Sequence, residues 1–381
     1  MSGAAEAAVA MPPPGRPALA SIQVMRGIAT LAVVFYHAQL ILAQPRYGGA
    51  EVWSWWASKG WIGVDFFVLS GFIIPYAHWP DIGRPERAGR YVFRRLSRVY
   101  PIYWVFLSIY IAAASTGLFQ AEFSRDPLNI LSAYLLVQLV PTPTLPLQVA
   151  WTLFFEMFFY GAFLLLILQK RLGAAVLGLW IAAVAIIGPV LGDGEPGWYL
   201  HSWNLYFVFG LGGYLLYRRM EGRDGVAILA AGLATLALML AAGLVSNQIS
   251  VTQRDPHALL ALAFPFTAIL LGAALADRRR GWRPPALLAL LGDASYATYL
   301  VHSPAISALA LVNAKLGGGR VPAEALFVAV AFVSVAAGVV AHLALERPLL
   351  APNDPVRRNG EPTLAYLRYY PSAARVPVGY E

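Results

Sequence analysis

The stretch Ser21-Ile-Gln-Val-Met-Arg26-Gly-Ile-Ala-Thr-Leu-Ala-Val-Val-Phe-Tyr-His37 decides how this chain is read. It is apolar enough to sit in a bilayer, yet it carries a guanidinium and an imidazole. Ionisable groups at membrane depth are unfavourable, and by default they mark a functional site. At about 100° per residue, the step from Arg26 to His37 is three turns plus ~20°, so both lie on one helix face, ~16 Å apart along the axis. One cation near the membrane edge and one titratable ring deeper in the same wall suggest a tunnel for a long ligand.

The rest of the chain has the same character. Of its 381 residues 59% are hydrophobic and 13% charged, and mean hydropathy is +0.60. Soluble domains carry roughly twice that charged fraction. The net charge of +8 comes mostly from arginine. Arginine clusters between apolar runs and the loops lack interleaved aromatics, so the pattern fits the positive-inside rule and not nucleic-acid binding. With no cysteine, disulfides, thiolate metal sites and a cysteine nucleophile are excluded. The first residues lack the charged start of a secretory signal, so the first apolar run is expected to be retained as a helix.

Apolar runs that could span occur near 22–42, 60–78, 99–117, 149–168, 173–192, 199–217, 226–245, 257–276, 292–314 and 323–345. The run 127–140 is too short to span and is followed by Pro141, Pro143 and Pro146. Arginines 84, 87, 90, 94, 95 and 98 form the densest basic loop, with further clusters at 170–171, 218–223, 278–283 and 357–358. Ten spans with both termini in the cytoplasm put every cluster inside. Segment 127–148 is then interfacial or re-entrant on the outer side, covered by protein or water. The expected fold is an all-α integral membrane protein, about ten transmembrane helices around a polar cavity. A flexible cytoplasmic segment 1–20, a membrane domain 21–348 and a cytoplasmic tail 349–381 complete it. No internal repeat is evident, which disfavours transporter folds built from inverted halves. Gly210, Gly212 and Gly213 suggest close helix packing rather than a phosphate loop.

Several polar residues stand out against this background. Asp65, within Gly63-Val-Asp-Phe-Phe, is either a water-exposed helix-end carboxylate or a partner that fixes the His37 tautomer. Arg95 and Arg98 share a helix face and read as a membrane-edge anchor or as a phosphate clamp. Glu156, among aromatics after Trp151, is unfavourable unless paired or protonated. It could be an interhelix hydrogen-bond partner, a second acid–base group or a holder of an acceptor hydroxyl. Tyr296, Tyr299 and His302 fall on one face; a packed histidine and a site histidine are equally open readings. Glu346, before Arg347-Pro348, reads as a local ion pair or helix stop. The histidines at 78, 201, 257 and 342 lack ligand-like spacing, so no metal site is expected.

Together these pieces resemble acyltransferase family 3, the bacterial membrane O-acyltransferases. They are Arg26-x10-His37, Gly63-Val-Asp65-Phe-Phe-Val-Leu-Ser-Gly71-Phe, Arg94-Arg95-x-x-Arg98-Val-Tyr-Pro101, Trp151-Thr-Leu-x-x-Glu156, Tyr299-Leu-x-His302 and Glu346-x-Pro348. Each is weak alone; their order across 26–348 is specific. The opening Ser21-Ile-Gln-Val-Met-Arg-Gly is most similar to the branch that acetylates exopolysaccharides. Met25, where the family often has Leu, and Phe154-Phe155, where Ser-Val often precedes the glutamate, are small departures. No soluble esterase-like domain, of the kind some members append, is expected from these residues.

The resemblance implies transfer of an acyl group, usually acetyl from acetyl-CoA, to a sugar hydroxyl in the bacterial inner membrane. The family's essential Arg and His map to Arg26 and His37, its Arg-x-x-Arg to Arg95 and Arg98, and its Glu to Glu156. His37, Glu156 and Asp65 are then the expected catalytic residues. Arg26, Arg95 and Arg98 would bind the acyl-CoA, and Trp151, Tyr299 and His302 a carbohydrate acceptor, lipid-linked or free. His37 would act as general base or through an acyl-histidine. Polysaccharide assembly proteins are further possible partners. The competing readings are a transporter or flippase for a lipid-linked or anionic glycan, and a membrane scaffold.

Overall fold

A computed structural model of the chain describes residues 19–116, 123–190, 197–246, 256–316 and 321–350. Nearly all of the expected segments 1–20 and 349–381 lie outside the described residues. Among the described residues the architecture is wholly helical. The long elements are α1 (Ala20–Leu42), α2 (Phe66–His78), α3 (Ala88–Ser115), the short α4 (Pro127–Leu135), α5 (Trp151–Leu168), α6 (Lys170–Val190) and α7 (Asn204–Arg219). They continue with α8 (Val226–Ala241), α9 (Pro256–Arg280), α10 (Ala286–Asp293), α11 (Ser295–Leu316) and α12 (Ala323–Ala341).

Among the described residues, seven helices are long and apolar enough to cross a membrane, against the ten runs expected from sequence. Helices α7 and α8 have only 16 residues each, about 24 Å at helical rise. Helix α11 has 22 residues, but His302, Ser303 and Asn313 hold its hydropathy down. The chain is a multi-pass membrane protein.

Helix α1 packs against α9, α10, α11 and α12 and against the segment preceding α2. Its start is anchored by carboxylates from elsewhere in the chain. Asp277 of α9 accepts from the Ser21 amide at 2.9 Å and from its hydroxyl at 3.0 Å. Asp293 of α10 accepts from Gln23 Nε2 at 2.5 Å. The first amides of a helix lack intrahelical partners and carry partial positive charge, so buried carboxylates are at home there.

The run 60–78 does not begin as an α-helix. Ser58–Asp65 is a 3-10 helix that continues into α2. With three residues per turn, Gly60 and Gly63 fall on one stripe. That stripe lies on α1, where an added side chain would strike the carbonyls of Ala32 and Ala29. Farther along, Gly71 of α2 and Gly210 of α7 meet backbone to backbone, and Gly213 also packs closely, whereas Gly212 faces open space.

The segment expected to be interfacial or re-entrant holds one short helix that turns back on itself. Helix α4 has 9 residues and is capped by Asp126, which accepts from the Leu128 amide at 2.8 Å. Its last carbonyls are satisfied by α3 side chains: Tyr103 on Ala133 at 2.8 Å, Trp104 on Tyr134 at 2.9 Å and Tyr100 on Leu135 at 2.6 Å. The helix thus descends along α3 only to the level of Tyr100, then turns back through Leu136 in a left-handed conformation. Chain ends at such depth need these side-chain donors because lipid offers none.

Candidate active site

Two groups of polar side chains, at opposite ends of α1, sit inside the bundle. Near the C-terminal end, His37 meets His302 of α11. Their ring centroids are 4.9 Å apart, and His302 Nε2 lies 3.2 Å from His37 Nδ1. The backbone fixes the protons. His37 Nδ1 is 3.0 Å from the Val33 carbonyl, and His302 Nδ1 is 3.1 Å from the Thr298 carbonyl. A carbonyl oxygen only accepts, so each Nδ1 carries hydrogen, and in a neutral ring each Nε2 then holds a lone pair. His302 spends its lone pair on the Nδ1–H of His37. His37 Nε2 makes no hydrogen bond among the described residues, and the side chain keeps accessible surface. In its neutral form the ring therefore presents a free basic nitrogen.

Two expectations change here. Asp65 is not the partner of His37. Its segment is 3-10 helical, which puts Gly60 and Gly63 against α1 and turns Asp65 off that stripe. Among the described residues Asp65 Oδ1 is buried without a hydrogen bond, and its electrostatic neighbour is Tyr206 of α7. His302, expected at the acceptor, is fully buried with both ring nitrogens taken, Nδ1 by the Thr298 carbonyl and Nε2 by His37. Tyr299 lies beside it at 5.7 Å between rings. The Tyr299 hydroxyl donates to the Val149 carbonyl at 2.8 Å and is 2.9 Å from Thr152 Oγ1. Trp151 stands in an aromatic cluster with Phe67, Phe155 and Trp203 at 6.0, 5.8 and 6.2 Å.

Near the start of α1, the guanidinium of Arg26 interacts electrostatically with Arg98, Glu346, Glu156 and Tyr160. The sequence places these residues in four separate runs; the fold gathers them. Glu156 accepts from the hydroxyl of Tyr160, one helical turn on, and from Ser70 Oγ at 3.4 Å. Arg95 lies over the Tyr160 ring at 5.8 Å. His78 holds Arg95 from the other side: Arg95 Nη2 donates to His78 Nε2 at 3.3 Å, and His78 Nδ1 donates to Asp81 at 2.8 Å. Arginine cannot accept, which again fixes the ring as neutral. Arg95 Nε is buried and has no hydrogen-bond partner among the described residues.

Glu346 closes this end. It ends a five-residue π-helical turn, His342–Glu346, in which His342 Nδ1 meets Glu346 Oε2 at 2.8 Å with both residues buried. The local partner that holds Glu346 is thus a histidine one turn earlier, and the carboxylate is also an electrostatic neighbour of Arg26. His78, Asp81, Tyr160 and His342 are site residues that sequence reasoning passed over. Histidine-to-acid spacings of three and four at helix ends, His78-x-x-Asp81 and His342-x-x-x-Glu346, were the available signal. Among the described residues, no group of three or more His, Asp or Glu could hold a metal ion.

An imidazole with an uncommitted nitrogen, joined by one helix wall to a guanidinium–carboxylate cluster within a helical membrane bundle, has the groups that acyl transfer needs. The sequence pattern of acyltransferase family 3, described as an acyltransferase domain, matches residues 19–343, and the chain belongs to that family. Over 303 residues it is 31% identical to the exopolysaccharide production protein ExoZ of Rhizobium meliloti (strain 1021), covering 76% of this chain and 90% of that protein. Over 300 residues it is 26% identical to BcsY of Komagataeibacter xylinus, by its name a candidate membrane-bound transacylase, covering 74% of this chain and 71% of that protein. No solved structure matches it significantly.

Proposed function

We propose that this acyltransferase moves an acetyl group from acetyl-CoA to a hydroxyl of an exported polysaccharide at the bacterial inner membrane. The observation that carries the reading is the uncommitted Nε2 of His37, held by Val33 and His302, on the same helix as Arg26. In the reaction, His37 Nε2 takes the proton of the acceptor hydroxyl as its oxygen adds to the thioester carbonyl. Collapse of the tetrahedral intermediate expels CoA thiolate, which takes that proton back from the imidazolium. The ester and free CoA are the products.

The donor reading rests on the arginine end. Arg26, Arg95 and Arg98 gather against two carboxylates, Glu156 and Glu346, leaving positive charge over for phosphate. The spare Arg95 Nε suits an anionic oxygen. Acetyl-CoA is cytoplasmic, so this end would face the cytoplasm, with both termini inside. A pantetheine arm then climbs a distance comparable to the ~16 Å between Arg26 and His37. The acceptor class is suggested by the name of ExoZ, a protein of exopolysaccharide production.

The test is release of free thiol from acetyl-CoA by the purified protein in detergent. Release should require a polysaccharide acceptor and vanish in His37→Ala. A single-turnover burst of CoA without acceptor would mark the acyl-histidine route instead of direct transfer. Absence of acceptor-dependent thiol release overturns the proposal, and coupled movement of an unmodified glycan would favour the transporter reading.

A further inference from the structure

A cleft of about 740 Å³ lies between α3 and α11, toward the end of the bundle where α1 finishes. Its walls are mostly apolar, among them Ile109, Leu300, Ala308 and Leu311. Two cations stand at its rim: Arg46, from the turn after α1, and Lys315, in the last turn of α11. Both are exposed, and neither has a carboxylate partner among the described residues. Arg46 is instead braced over the Tyr47 ring at 4.7 Å, with Nε donating to Gln44 at 3.0 Å.

The cleft opens sideways. Ile109 on one wall is 57% exposed and Val312, next to the other wall, 56%, and in a membrane helix such residues meet acyl chains. Most of the cleft lies on the far side of α11 from the reacting ring. Pro304, Ala308, Leu311 and Lys315 lie roughly 180–240° around α11 from His302, and of the lining residues Ala305 alone comes within ~60° of it, so the bulk of an occupant sits behind the helix that carries His302. That position argues for a resident lipid and against the acceptor.

We infer that this cleft is a binding site for one anionic phospholipid of the bilayer, with an acyl chain between α3 and α11 and its phosphate on Arg46 and Lys315. Hydrocarbon walls ending in a pair of uncompensated cations match a phosphodiester head group on a hydrocarbon tail. Cations near a membrane surface each contribute about 1 kcal/mol to attraction of anionic lipid, close to fivefold in affinity. Neither Arg46 nor Lys315 belongs to the proposed catalytic machinery, so the site is independent of that reading.

The full chain, delipidated in detergent and incubated with phosphatidylglycerol or phosphatidylcholine, tests the inference by native mass spectrometry. One phosphatidylglycerol should be retained in preference to phosphatidylcholine. Arg46→Ala and Lys315→Ala should each weaken retention by roughly fivefold, Arg46→Lys should preserve it, and Ala308→Trp should abolish it by filling the cleft. Equal retention of phosphatidylcholine, or undiminished retention in the doubly substituted chain, overturns the inference. So does displacement of phosphatidylglycerol by a trace of polyprenyl phosphate, which would assign the cleft to a glycan carrier. Thiol release from the acyl donor, measured on the same variants, should be retained; its loss would place the two cations in the reaction and also overturn the inference.

Discussion

His37 and His78 are both imidazoles inside the bundle, and they differ in what their second nitrogen does. His78 gives Nδ1 to Asp81 and receives Arg95 on Nε2. Nothing remains for a ligand, and the ring acts as a strut between a carboxylate and a guanidinium. His37 is held at Nδ1 by a carbonyl and by another neutral imidazole, and its Nε2 is left open. A carboxylate orients a ring strongly but draws it toward the charged form; a neutral partner fixes the tautomer without adding charge. In the proposed reaction the two ends of α1 would then separate two tasks: proton transfer where the ring has a free nitrogen, and anion binding where rings and carboxylates serve the arginines.

This contrast can be broken by substitution. His37→Ala should lower acetyl transfer by about 10²- to 10⁴-fold, the range for loss of a general base, with unchanged expression and melting temperature. A variant that keeps its activity removes the distinction altogether. His302→Ala should cost about 10²-fold in kcat through a misplaced ring, with little change in donor KM. A purely structural role would instead lower thermal stability and leave kcat per folded molecule alone.

At the other end, Arg95→Ala should raise the donor KM by roughly tenfold to a hundredfold, the worth of one charge-assisted hydrogen bond, while kcat moves less. Asp81→Asn, which weakens the strut behind Arg95, should raise the same KM only a few-fold, a surface-accessible hydrogen bond being worth about 1 kcal/mol. If Asp81→Asn lowers kcat more than it raises KM, the two ends do not divide the work in this way.

Much of this was legible in the residues. Helical periodicity put Arg26 and His37 on one wall, and the prolines after residue 140 marked α4 and its return as non-spanning. Arg95, Arg98 and Glu156 were recognisable as polar groups that lipid would not tolerate alone, and the fold brings them toward Arg26. Asp65 was misread because the sequence reading assumed an α-helix from residue 60. A spacing of three between Gly60 and Gly63 suits a 3-10 turn as well as an α-helix, and only contact with α1 selects between them. His302 was found but placed at the acceptor, because one-dimensional spacing does not reveal which nitrogen a neighbour occupies.

Sequence alone determined that this chain lives in a membrane as helices, and that a handful of ionisable side chains must be satisfied there. Those facts follow from local hydropathy and from the penalty for unpaired polar groups in lipid, which need no knowledge of neighbours. Tertiary structure decided which group satisfies which. Partners such as His37 and His302, Ser21 and Asp277, or Arg26 and Glu346 lie hundreds of residues apart in sequence. Their pairing depends on helix crossings set by glycine contacts and cap geometry, information that no single helix contains.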